Sequence, residues 1–131
     1  MIKKLSHVSI LSNDFDKVHK FYIDFLKFKI AHMFTNNQNE VYGMFLHAGK
    51  GTFIEFFKSD KKLLNNSFDH ICFEVENISE IKNKFNHIPN LKITRGRTDN
   101  ILQFKVKDYE INLIEFHQHD ERSKLKNYIN E

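Results

Sequence analysis

Four residues of metal-ligand type recur in this 131-residue chain at a nearly constant offset. His7 and His70 are 63 positions apart, and Glu55 and Glu115 are 60 apart. Each glutamate interrupts an apolar run, Thr-Phe-Ile-Glu-Phe-Phe at 52–57 and Asn-Leu-Ile-Glu-Phe-His at 112–117. Burying a carboxylate costs several kcal/mol unless it is paired, protonated or bound to a metal. Neutral imidazole with carboxylate oxygen suits Zn, Ni, Co, Fe or Mn. One divalent cation shared by two imidazoles and two carboxylates would offset the burial of both acids. Taken singly, a strand histidine is more often a surface or satisfied group, and a glutamate on the wet face of a strand is ordinary. The metal reading rests on both types recurring in the same order.

The elements that must position these residues repeat as well. Residues 5–11, LSHVSIL, alternate like a strand, with His7 and Ser9 on one face and Val8 and Ile10 on the other. Ser12-Asn13-Asp14 offers helix-capping chemistry, and Val18, Phe21, Tyr22, Phe25 and Leu26 follow at helical spacing. Strands are predicted at 28–34, 41–48 and 52–58, with turns at Asn36-Asn37 and Gly49-Lys50-Gly51. The order then recurs. A strand at 68–75 places His70 and Cys72 opposite Ile71, Phe73 and Val75. Ser79 can cap a shorter helix carrying Ile81, Phe85 and Ile88, and Pro89-Asn90 ends it. Strands near 91–95, 101–107 and 110–117 complete the second set. The chain therefore reads as a duplicated β-α-β-β-β module, one about 1–60 and the other about 66–119, in a single domain spanning 1–131. A short amphipathic C-terminal helix is expected at about 120–130, carrying Leu125, Tyr128 and Ile129.

The totals exclude several classes. Hydrophobic residues are 40% of the chain and include fourteen Phe, which is enough for a core and argues against disorder. The net charge of +3 is small and spread along the chain, with no basic block that would suit nucleic acid. Cys72 is the single cysteine, so no intrachain disulfide and no CxxC motif exist. The opening MIKKLSHVSI shows no long apolar region, and no stretch approaches the ~20 apolar residues of a membrane span. A soluble, cytoplasmic protein is expected.

At this point the residues resemble a known group, the vicinal oxygen chelate superfamily of glyoxalase I, bleomycin and fosfomycin resistance proteins and dioxygenases. The resemblance covers nearly the whole chain. LSHVSILSNDFDKVHKFYIDFLKFKI is similar to that family's opening strand and helix, GTFIEFF to its second-ligand strand, and FDHICFEVENI to the start of its second module. KDYEINLIEF resembles the closing D-P-D-G-N-x-I-E-L, retaining Asp108, Asn112, Ile114 and Glu115. The Pro and Gly of that turn are replaced around Tyr109-Glu110-Ile111, while the ligand spacing survives. The resemblance implies an α+β fold whose tandem β-α-β-β-β modules form a cupped mixed sheet around a metal site. It also implies a homodimer with shared active sites.

Glyoxalase I-like members use two His and two Glu, whereas fosfomycin-modifying members and extradiol dioxygenases generally keep two His and one Glu. Glu55 therefore points to proton-transfer chemistry of the lactoylglutathione lyase type. His7, Glu55, His70 and Glu115 are the expected metal ligands, one divalent ion per site. Glu115 is the expected base and Glu55 its symmetric partner, moving a proton through an enediolate of a small α-hydroxycarbonyl thiol adduct. Arg95, Arg97, Gln103 and His117 are candidate substrate contacts, the arginines for an anionic group. His117 and His119 flank the last strand, and His117 shares the Glu115 face. Two alternatives stand beside this one. The first is a fosfomycin-type thiol transferase or epoxide hydrolase, which the ending Glu115-Phe-His117 with Leu125 and Tyr128 resembles. The second is a metal-free drug-binding protein, against which the retention of all four ligands counts.

Overall fold

The structure, a computed structural model, describes residues 1, 4–61 and 68–129. It divides into two compact units, Met1–Ser67 and Phe68–Glu131. The expected junction near 60–66 lies largely outside the described residues.

The first unit runs β1 (His7–Ser12), α1 (Phe15–Val18), β2 (Lys29–Thr35), β3 (Val41–Gly49) and β4 (Thr52–Lys58). Its four strands form one mixed sheet in the order β1-β4-β3-β2, with β4 parallel to β1 and antiparallel to β3. The second unit repeats the plan with β5 (His70–Glu74), α2 (Ile78–Asn83), β6 (Thr94–Arg95), β7 (Leu102–Lys107) and β8 (Leu113–Gln118). Its order is β5-β8-β7-β6, with β8 parallel to β5 and antiparallel to β7. The duplication read from the offsets is thus a duplication of topology.

Each sheet has a packed face and an open face, because side chains alternate along a strand. In the first unit Ile10, Met44, Leu46, Ile54 and Phe56 are buried, and the Tyr22 ring lies 4.9 Å from Phe56. In the second, Val106, Ile114, Phe104 and Phe116 are buried, and Phe85 closes on the last two at 5.9 and 5.8 Å. Burying such side chains contributes about 1.5–3 kcal/mol each and fixes which side of the sheet the polar residues occupy.

The helices depart from the sequence reading in detail. Asp14 caps α1, its Oδ1 accepting from the N–H groups of Asp16 and Lys17. The chain then widens into a π-helical segment, His19–Phe25, in which the Leu26 N–H reaches back five residues to the Phe21 carbonyl at 3.0 Å. Phe21 and Tyr22 are both buried by it. Asn77, not Ser79, caps α2, accepting from the N–H groups of Ser79 and Glu80. Starting earlier lets Ile78 enter the core while its N–H donates to the Gln118 side chain at 2.9 Å. The expected C-terminal helix is a run of turns over 121–129, with i→i+3 bonds from Lys126 to Ser123 and from Tyr128 to Leu125. Such bonds wind tighter than an α-helix. Leu125 and Tyr128 are exposed, so no buried stripe rewards a regular helix there. No helix among the described residues is long and apolar enough to cross a membrane.

Candidate metal centre

The strand register brings each predicted histidine to its predicted glutamate within its own unit. In the first unit Ser9 pairs with Glu55 and His7 with Phe53, so His7 and Glu55 share the open face. His7 Nε2 lies 3.8 Å from Glu55 Oε1. In the second unit Cys72 pairs with Glu115 and His70 with Leu113, giving the same diagonal arrangement. His70 Nε2 lies 3.4 Å from Glu115 Oε2. Both carboxylates are buried, each only 9% exposed. Two ligands of one cation with bonds of ~2 Å sit about 3.4 Å apart in a tetrahedral set. The donor types and separations of both pairs therefore fit a divalent ion.

His70 carries a further feature that sequence reasoning missed. Its Nδ1 lies 2.6 Å from Asp69 Oδ2, a bond that itself lowers the Asp69 carboxyl below its ordinary value. A carboxylate on Nδ1 fixes the proton there and leaves Nε2 bare, the tautomer that ligates a metal. The signal was present as the acid preceding the histidine in Phe-Asp-His. At His7 the neighbour beside Glu55 is the Phe45 ring, edge-on at 5.3 Å.

The two open faces differ in chemistry. In the first unit Phe45 stands opposite Glu55 and Gly43 opposite Phe57. Phe34 packs 5.4 Å from Phe45 and 5.2 Å from Phe57, and Phe45 packs 5.5 Å from Phe53. A Cβ on Gly43 would stand 3.1 Å from the Phe34 ring and closer still to that of Phe57, so the missing side chain lets the rings close over the strand. In the second unit Lys105 stands opposite Glu115 and Gln103 opposite His117. Lys105 Nζ lies 3.9 Å from Glu115 Oε2. His117 therefore lies on the Glu115 face, where alternation put it, and Gln103 lies beside it. Burial, then the neighbouring His119, push the His117 imidazole below its ordinary value. Cys72 is on this face too, but burial and then Glu115 push its thiol up to about 12, which keeps it protonated and inert at neutral pH.

The arginines are placed differently. Arg95 is not free to clamp an anion. Its guanidinium donates to Asp120 Oδ1 at 3.1 Å, to Asp120 Oδ2 at 2.6 Å and to the Asn100 carbonyl at 2.8 Å. Its strand register with Leu102 puts it on the opposite face from Gln103. Arg97 is exposed in the turn after β6.

A family model described as the glyoxalase/bleomycin resistance protein/dioxygenase superfamily matches residues 4–116. The chain belongs to that superfamily. Its sheets take the vicinal oxygen chelate fold. A glyoxalase family protein from Enterococcus faecalis is 21% identical, with a TM-score of 0.69 over 88% of this chain and 97% of that one. The genomically encoded fosfomycin resistance protein FosX from Listeria monocytogenes is 18% identical, with a TM-score of 0.67 over 92% and 97%. A glyoxalase/bleomycin resistance protein/dioxygenase from Alicyclobacillus acidocaldarius is 20% identical, with a TM-score of 0.63 over 91% and 94%. No curated protein sequence matches significantly.

Proposed function

We propose that the protein is a divalent-metal-dependent lyase or isomerase of glyoxalase I type, acting on a small α-hydroxycarbonyl thiol adduct. The observation that carries this reading is the second carboxylate: Glu55 is buried beside His7 as Glu115 is beside His70. The repeat and the family resemblance make His7, Glu55, His70 and Glu115 the proposed donors of that ion, two from each module. Zn, Ni, Co, Fe and Mn all suit that set. A homodimer is the proposed assembly.

When bound, the cation supplies Lewis acidity toward adjacent substrate oxygens. Glu115 takes the proton from one carbon and returns it to the next, and Glu55 is its counterpart. Asp69 holds the His70 ring so that Nε2 stays a donor. Lys105 offers a positive charge beside Glu115, and Gln103 is a polar contact for substrate on the same face. The aromatic face around Phe45 suits the apolar part of the substrate and sheds water from Glu55.

One observation favours a second reading, a fosfomycin-type thiol transferase or epoxide hydrolase. Lys105 is a cation placed for an anionic substrate next to the ligand pair. A mutant of the Listeria protein was crystallised with Mn(II) and 1S,2S-dihydroxypropylphosphonic acid, an anion of that kind.

Metal content of the purified protein and of Glu55→Gln and His70→Ala, followed by methylglyoxal and fosfomycin assays with one thiol panel, separates the readings. Isomerisation of a thiohemiacetal that falls about 100-fold or more in Glu55→Gln is the expected result. Turnover of fosfomycin indifferent to Glu55 would replace the first reading with the second. Wild type that takes up no divalent metal after reconstitution would remove both and leave a binding protein.

A further inference from the structure

A second cluster of ligand-type residues lies in the second unit, outside the four-residue set. Glu74, His117 and His119 bring a carboxylate oxygen and two imidazole nitrogens within 4.8 Å of one another. The fold places them so for three separate reasons. Glu74 and His117 are direct partners in the parallel β5–β8 ladder. His117 and His119 are two residues apart, and their rings meet at 4.5 Å. The turn after β8 then aims His119: its Nδ1 lies 2.8 Å from Ser123 Oγ, and its Nε2 lies 3.9 Å from Glu74 Oε1. Ser123 is fully enclosed, and its Oγ also accepts from the Leu125 N–H at 3.1 Å.

We propose that Glu74, His117 and His119 form a second divalent-cation site, separate from the one assigned to His70 and Glu115. With two imidazoles among three protein donors, it takes a zinc-class ion rather than Mg²⁺ or Ca²⁺, which call for oxygen ligands. A hydroxyl has two lone pairs, so Ser123 Oγ can accept from His119 Nδ1–H while it holds Leu125. That leaves Nε2 as the donor, the arrangement metal-bound histidines usually show. The spread of 4.8 Å must shrink to about 3.4 Å around an ion. Glu74 can make that movement, since its side chain is 54% exposed, whereas that of His119 is 9% exposed and held. A water completes the set. The ion would tie the turns after β8 to the edge strand β5, so its consequence is order in residues 119–125 rather than catalysis.

The experiment is a Zn²⁺ titration of the metal-stripped full-length protein by calorimetry. The expected result is an event that the Glu74→Gln, His119→Ala double variant weakens at least tenfold or loses. The same event survives in His70→Ala, Glu115→Gln, so failure of the catalytic ion does not hide it. Glu74→Gln alone, at an exposed position, gives the same direction if the double variant does not fold. Limited proteolysis after β8 should slow on adding Zn²⁺ to wild type and not to the double variant. Identical stoichiometry and affinity in wild type and the Glu74 and His119 variants would overturn the proposal. So would an event lost in Cys72→Ala and kept in Glu74→Gln, since Cys72, Glu115 and His117 are the neighbouring alternative.

Discussion

Ile111 holds a backbone φ of 69°, a region that β-branched residues rarely enter. It does so at the position where the family's closing turn has Gly. The turn survives because Asp108, buried below it, accepts from the N–H groups of Glu110 and Asn112 with Oδ1 and from Asn112 Nδ2 with Oδ2. That bracket sets the start of β8 and hence the register of Glu115. The left-handed conformation costs roughly 1–2 kcal/mol, and glycine's extra freedom in the unfolded chain takes back part of that. Ile111 is 71% exposed, so little packing is lost with its side chain. Ile111→Gly should therefore stabilise the protein by about 1 kcal/mol, read as a Tm higher by a few degrees in thermal unfolding; a lower Tm would contradict the strain. At this scale the meeting of His7 with Glu55 and of His70 with Glu115 was legible in the sequence because a strand's period of two allows only two faces. Asp69 and Lys105 were not singled out, since what matters about them is reach toward a neighbour, which alternation alone does not give.

Most strands were legible through the apolar face they bury. The described strands fall where the sequence put them, within a few residues, although β2 is almost wholly exposed and β6 is only two residues long. The helix starts and the C-terminal turns were harder. Asn77 and Ser79 are both good caps, and the choice was made by Ile78 entering the core. The C-terminal segment is held by polar contacts instead, chiefly the Arg95–Asp120 fork joining β6 to the turns after β8. That fork gives a pH prediction. Arg95, then the Arg122 N–H, hold the Asp120 carboxyl down at about 2, below its ordinary 3.8. The folded state thus prefers the ionised acid, and the contribution is complete above pH 3.8 and fades as pH falls toward 2. The Tm difference between wild type and Asp120→Asn should be constant from pH 7 to 5 and should narrow by pH 3. A difference that widened on acidification would show that the sign is wrong.

On the scale of the whole molecule, the duplication makes the two histidines equivalent in kind. If the proposed ion needs both pairs, chelation should lower the Tm of the metal-loaded protein, and reloading should restore it. At a free metal concentration a hundred times Kd the stabilisation is about 2.7 kcal/mol. His7→Ala and His70→Ala should each abolish most of that shift. Retention of the full shift in His7→Ala would mean that the second unit binds its ion alone. The repeated register has one more consequence. Phe45 and Lys105 occupy the same place in the two copies, each directly across from its glutamate. The frame has kept the acid in both copies and let its cross-strand neighbour diverge from an aromatic ring to an ammonium group. On the proposed function, that neighbour is the position at which preference for apolar or anionic molecules would be rewritten, in either direction, with both glutamates left in place.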